Sequence, residues 1–188
     1  MFLNLEYKNL LTKKECSEIA KEFHTLLSTK ETDESCSDRS KIHIDHGYTK
    51  GSFGYYNLKK SLKFLKKIEK VVLADYNDEV VFKNSYIRKY INGNQLTAHI
   101  DKPGLDITLS VTIEGLTNWP LCVSNIVFED PHILGAVSPK YQNNHKKYYT
   151  NIGDGVACYG RNTVHWREPL VCGPDEYLIQ LFYHWTFV

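Results

Sequence analysis

Apolar positions recur at helical spacing in the N-terminal part of the chain and at strand spacing beyond it. Residues 2–7 alternate loosely and predict a short strand. Thr12 and Glu15 then form an S/T-x-x-E capping box, in which each side chain satisfies the other's backbone N–H at a helix start. Behind it Cys16, Ile19, Ala20, Phe23, Leu26 and Leu27 make one apolar stripe, which the polar run STKETDESCSDRSK ends as a loop. A second helix is predicted over 58–76, with Leu58, Leu62, Leu65, Ile68, Val72 and Leu73 on one side and a solvated lysine face on the other.

From Val80 onward the period shortens. Runs rich in β-branched and aromatic residues (VVFKNSYIRKYI, LDITLSVTI, GVACYG, EYLIQLFYHW) are separated by turn signals at Asn92-Gly93, Pro103-Gly104, Gly153-Asp154 and Gly173-Pro174. Two helices followed by about eight strands predict an α+β, mainly β domain, its helices bracing a sandwich or barrel. No internal repeat or linker divides the chain. One domain over 1–188 is expected, with a helical N-terminal part at about 1–78 and a β core at about 79–188.

At 188 residues and 42% hydrophobic content, the chain can bury roughly 70% of its unfolded surface without disulfides or structural metal. Metal ligands, if present, therefore call for a chemical explanation. Lys and Arg number 23 against 22 Asp and Glu, which leaves no net field to draw nucleic acid. The stretch MFLNLEYKNLLTKKE lacks the apolar segment of a secretory signal, and no run reaches the roughly 18 apolar residues of a membrane span. A soluble, cytoplasmic protein without membrane attachment is expected. The cysteines Cys16, Cys36, Cys122, Cys158 and Cys172 include no C-x-x-C pair and read as reduced, mostly buried thiols.

Two H-x-D triplets carry candidate chemistry. His99-Ile100-Asp101 follows a predicted strand and turn. Residues i and i+2 of an extended segment point the same way, so His99 and Asp101 can reach one ion while His165 arrives from another strand. Two imidazoles and one carboxylate on one face of an octahedral metal leave the opposite face open, as Fe(II) requires to take a bidentate cosubstrate and O₂. With eight histidines, chance matches occur, and His43-Ile44-Asp45-His46 is one. It falls in a polar stretch ahead of a helix, without strands to bring back a third ligand. One metal site at His99, Asp101 and His165 is expected, with His43, Asp45 and His46 elsewhere on the surface.

The surroundings of the later triplet carry a resemblance. The capped helix at LLTKKECSEIA, then YIRKYINGNQLTAHID, GDGVACYGRNTVHWREPLVCG and EYLIQLFYHW resemble, in the same order, the 2-oxoglutarate and Fe(II)-dependent oxygenases of the prolyl 4-hydroxylase-like branch. The likeness covers about 8–188 and implies a double-stranded β-helix (jelly-roll) core with ligands at its open end. It also implies Fe(II) on His99, Asp101 and His165, 2-oxoglutarate and O₂ as cosubstrates, and Tyr90 facing the 2-oxoglutarate. The implied enzyme is a dioxygenase hydroxylating a prolyl, peptidyl or amino-acid side chain, as a monomer or weak dimer. Asp101, which halide-transferring relatives lack, favours hydroxylation or a related oxidation over halogenation.

One region departs from the resemblance. A Lys or Arg about nine or ten positions after the distal histidine would pair with the far carboxylate of 2-oxoglutarate, but Pro174, Asp175 and Glu176 stand there. Burying that carboxylate unpaired costs several kcal/mol, so another cation must serve. Arg167 points the same way as His165 if its strand is regular, and its planar fork suits a carboxylate. A surface pair with Glu168 is the alternative. Arg88, on the strand face of Tyr90, is second, ahead of Lys102 and Arg161. Without such a cation the chain would be a non-catalytic jelly-roll binding module with a relic metal site. The segment SPKYQNNHKKYY (138–149) mixes lysines with tyrosines and suggests a third reading, an oxygenase acting on nucleic acid, although a solvated loop is expected there. Trp119-Pro120 is expected to be structural, and GSFGYYN (51–57) is either a flap over the cavity mouth or packing at the start of the following helix.

Overall fold

The computed structural model describes residues 4–35, 37–45, 49, 51–76, 79–127 and 140–188. The capping box opens α1 (Lys13–Thr29): Glu15 N donates to Thr12 Oγ1 and Thr12 N donates to Glu15 Oε2. Its buried face is Cys16, Ile19, Ala20 and Phe23. The second predicted helix is broken into α2 (Lys59–Lys63) and α3 (Leu65–Val72), closed by a 3₁₀ turn at Leu73–Asp75. The break falls at Phe64, whose dihedrals (φ −96°, ψ −1°) leave the helical well and whose ring joins the core.

The strands are β1 (Leu5–Tyr7), β2 (Thr32–Asp33), β3 (Ile42–Asp45), β4 (Ser52–Tyr56), β5 (Val80–Tyr90), β6 (Leu96–His99), β7 (Ile107–Gly115), β8 (Leu121–Val127), β9 (His145–Tyr148), β10 (Gly155–Cys158), β11 (Thr163–Arg167) and β12 (Leu178–Phe187). They form two sheets, ordered β1-β10-β7-β12-β5-β4-β3-β2 and β6-β11-β8-β9. From β5 to β12 the chain passes back and forth between the sheets, which is the expected jelly-roll. No helix among the described residues is long and apolar enough to cross a membrane.

Three expectations are corrected. The N-terminal part is not only helical, since β2, β3 and β4 extend the large sheet beyond β5, while the strand expected within 2–7 is present as β1 on β10. The GSFGYYN stretch contains β4, a wall strand rather than a flap. From Lys140 on, the Lys-Tyr segment forms α4 (Lys140–Asn143) and β9, an edge strand on β8 rather than a loop; 138–139 lie outside the described residues. Cys16, Cys122 and Cys158 are free and buried and Cys172 is free and partly exposed, while Cys36 lies outside the described residues.

The large sheet has two unlike faces. Ile87, Leu109, Val111, Leu181, Tyr183 and Trp185 pack against α1 and α3 in the main core. Facing the small sheet, the same strands present a mixed set, in which Val156, Cys158, Tyr90, Leu178 and Phe182 join smaller apolar clusters beside a band of polar groups. Ser110 Oγ donates to Gln180 Oε1, Gln180 Nε2 donates to Thr112 Oγ1, and Thr112 shares a hydrogen bond with Thr150. Polar groups buried between sheets are costly unless partnered. Between the sheets the jelly-roll thus combines apolar clusters with a hydrogen-bonded polar band.

Candidate metal centre

His99 and His165 are placed opposite each other by the β6–β11 pairing, with ring centroids 4.3 Å apart. Asp101 lies just past β6. Its N–H donates to Gly160 O at 2.8 Å and its carbonyl accepts from Arg161 Nη1 at 3.1 Å, tying the segment to the turn before β11. Asp101 Oδ1 is consequently 3.6 Å from His99 Nε2 and 3.6 Å from His165 Nε2, and the donor atoms all lie within 4.8 Å of one another.

The hydrogen bonds around these groups decide their protonation. His99 Nδ1 lies 2.7 Å from Thr97 O and His165 Nδ1 lies 3.0 Å from Thr163 O. A carbonyl only accepts, so each Nδ1 carries a proton and each Nε2 is turned into the gap toward Asp101 Oδ1. Burial, helped by neighbouring His99, pushes His165 down to about 4. Burial opposes the Asp101 charge, but the adjacent His165 and His99 outweigh it and hold the carboxyl well below its usual range. Thr108 Oγ1 donates to Asp101 Oδ2, so Oδ1 is the oxygen turned to the histidines. Two imidazole Nε2 atoms and one oriented carboxylate, each residue with an outer partner, fit a divalent first-row metal.

Gly160 makes this approach possible. A Cβ there would stand 2.0 Å from Asp101 Oδ2 and 2.6 Å from Thr108 Oγ1. Gly160→Ala is expected to displace the carboxylate and weaken Mn(II) binding by about 10–100-fold, read by calorimetric titration, in a protein that remains folded by circular dichroism. Unchanged affinity would contradict the role of the turn.

A cavity of about 460 Å³ opens beside the triad. Its walls include His99, Asp101 and His165, then Asn84, Arg88 and His184 from the large sheet, then His43, Asp45, Tyr56 and Tyr86. The early H-x-D is therefore neither in a loop nor elsewhere on the surface. His43 is only 1% exposed and Asp45 lines the cavity, because β4 pairs with β5 and carries β3 alongside. His46 lies outside the described residues. His43 and Asp45 do not join the metal group, which among the described residues consists of His99, Asp101 and His165.

The two candidate arginines flank Tyr90, whose hydroxyl is buried without a partner among the described residues. Four residues of β6 (Leu96–His99) oppose three of β11 (from His165 to Arg167), so the extra residue lies on β6 and Arg167 keeps the orientation of His165. Arg167 is 2% exposed, with Cζ 5.0 Å from the centre of the Trp119 ring and Nη1 donating to Trp119 O. Its Nε has no partner among the described residues, and burial pushes the guanidinium down to about 10. Arg167 is not among the residues that line the cavity, although its register partner Leu96 is. Glu168, the alternative partner, instead accepts from Trp166 Nε1 on its carboxylate and from Trp119 Nε1 on its carbonyl. Arg88 is in the wall, its Cζ 5.8 Å from the Tyr90 ring centre and its Nη2 donating to Asp45 Oδ2 at 2.8 Å. Arg161 is committed to Asp101, and Lys102 lines the cavity.

Sequence reasoning missed Thr108, Gly160, Asn84 and His184. His184 Nδ1 lies 3.0 Å from Asn84 Oδ1, and burial lowers its pKa. Its signal was present in the last strand, where Gln180, Phe182 and His184 alternate with the apolar core positions.

No family model matches the sequence, and no curated protein is significantly similar to it. Solved structures do match. A prolyl-4-hydroxylase from Pseudomonas putida has a TM-score of 0.65 at 10% identity, over 98% of this chain and 92% of its own. A viral collagen prolyl hydroxylase from Paramecium Bursaria Chlorella virus-1, in complex with 2-oxoglutarate, has a TM-score of 0.58 at 14% identity, over 98% and 96%. The alpha ketoglutarate dependent carbocyclase SnoK from nogalamycin biosynthesis has a TM-score of 0.70 at 11% identity, over 98% and 80%. Hydroxylases and a carbocyclase share this architecture, so the likeness defines a fold and not a reaction. The chain has the fold of the 2-oxoglutarate and Fe(II)-dependent oxygenases, prolyl 4-hydroxylases among them.

Proposed function

We propose that the protein is a non-haem Fe(II) and 2-oxoglutarate-dependent dioxygenase that hydroxylates a prolyl, peptidyl or free amino-acid side chain. The observation that carries this reading is the convergence of two Nε2 lone pairs and one carboxylate oxygen within 4.8 Å at the mouth of a polar-lined jelly-roll. His99, Asp101 and His165 hold the metal from one face. Fe(II) held by these residues would supply the coupling of O₂ reduction and 2-oxoglutarate decarboxylation to oxidation of a C–H bond.

The protein's own part is positioning. Thr108 and the backbone of Gly160 fix Asp101, while Thr97 O and Thr163 O fix the imidazole tautomers. Arg167 and Tyr90 receive the far carboxylate of 2-oxoglutarate. A buried guanidinium without a carboxylate partner is unfavourable, and an anionic ligand relieves it. Arg88 already has Asp45.

Anaerobic addition of Fe(II) and 2-oxoglutarate is expected to produce the weak visible charge-transfer band of a chelated keto acid. A folded protein showing no such band would overturn the reading in favour of a binding module with a relic metal site.

A further inference from the structure

We infer that Asp45 and Arg88 form the head-group subsite for a free α-amino acid, holding its ammonium and its carboxylate side by side. The inference rests on the oxygenase reading and adds the substrate class to it. Both side chains belong to the wall of the cavity that contains the triad. They are 17% and 12% exposed, with Oδ2 and Nη2 2.8 Å apart.

A charge pair in a cavity wall selects by charge pattern. The ammonium and carboxylate of an α-amino acid sit on one carbon, about as far apart as the charges of this pair. Laid against it in reverse order, they complete a ring of alternating charges in a site shielded from water, where each contact is charge-assisted. An internal residue of a peptide carries neither charge. Its neutral amides would desolvate Asp45 and Arg88 without replacing what water gave them. Arg88 also keeps a buried Nε that has no partner among the described residues, since Asp45 takes Nη2.

Tyr56 and Tyr86 pack beside the pair with ring centres 4.5 Å apart, and His43 lies 5.3 Å from Tyr56. Arg88 Cζ stands 5.0 Å over Tyr86 and Arg39 Cζ 4.9 Å over Tyr56, so Asp45 is the group left to take an ammonium. The arrangement depends on Gly54, the register partner of Arg88, because a Cβ there would be 1.8 Å from the Tyr86 hydroxyl. The missing side chain lets Tyr86 lie across β4 beneath Arg88. The cavity volume of about 460 Å³ is within the range of small-molecule sites.

The test uses the full chain loaded with Mn(II) and 2-oxoglutarate, which binds without turning over. Proteinogenic L-amino acids are titrated calorimetrically, and any that binds is titrated again as its N-acetyl and its C-amide derivative. At least one free amino acid is expected to bind, and each cap to weaken it by at least about 30-fold. Asp45→Asn should erase discrimination against the N-acetyl form alone, and Arg88→Gln discrimination against the amide alone, with partial return in Arg88→Lys. The capped ligands test the idea in the native chain even if a variant fails to fold. Binding of no free amino acid, equal binding of doubly capped forms, or loss of 2-oxoglutarate affinity in folded Arg88→Gln would overturn the inference. Failure of the native chain to take up Mn(II) and 2-oxoglutarate would instead overturn the oxygenase reading, and this inference with it.

Discussion

Asp101→Ala is expected to abolish product formation and to reduce succinate release to background, with or without added chloride. Asp101 supplies the charge of the donor group, its Oδ1 standing 3.6 Å from both Nε2 atoms. Removing it leaves two neutral imidazoles to hold a divalent cation, and frees Thr108 Oγ1 of its acceptor. Loss of an outer partner alone typically costs about 10–100-fold in metal affinity, and loss of the anionic ligand should exceed that. Succinate and product are measured separately, because uncoupled decarboxylation would appear as succinate without product. Unchanged output of both would contradict the ligand role.

Arg167→Ala is expected to raise the 2-oxoglutarate requirement by roughly 30-fold or more while Mn(II) affinity changes little. Truncating one partner of a buried, hydrogen-bonded charge pair costs roughly 2–5 kcal/mol, at about 1.4 kcal/mol per tenfold. Arg167→Met separates this from damage to the fold. It keeps much of the volume against Trp119 and removes a buried cation without a carboxylate partner among the described residues. Replacing a buried charge with a well-packed apolar group is often neutral or stabilising by about 1–4 kcal/mol. The ligand-free Met variant should therefore melt no lower than the native chain, yet lose the upward shift that 2-oxoglutarate gives. Unaltered cosubstrate affinity in Arg167→Ala, with loss in Arg88→Ala, would move the carboxylate partner to β5.

The parts of this site legible in the sequence are those set by short-range spacing. The capping box at Thr12 and Glu15 needs only four residues, and the H-x-D at His99 needs only the alternation of an extended segment. The parts that were not legible depend on distant approach. Nothing near His43 announces that it is buried, because its cover comes from Tyr86, on a strand that joins β3 only through β4. Alternation gave the face of Arg167 but not its depth, which is set by Trp119 reaching it from ahead of β8. Gly160 reads as an ordinary turn glycine until Asp101 is brought against it.

The margins of the large sheet have a consequence for how molecules of this protein meet one another. The sheet ends in β1, three residues long, on one side and β2, two residues long, on the other. Margins this short offer another chain little open backbone on which to add a strand. β1 is secured on β10 by the pairing from Leu5↔Ala157 to Tyr7↔Gly155. The residues after it are pinned by Asp154, which accepts from Asn9 N and Lys8 Nζ, and by Leu11 N donating to Gly153 O. Peeled away, β1 would expose β10, whose chain runs directly on to Gly160. The first strand thus guards against strand-by-strand self-association, and fraying at that margin would reach the Gly160 turn that holds Asp101 within a few residues.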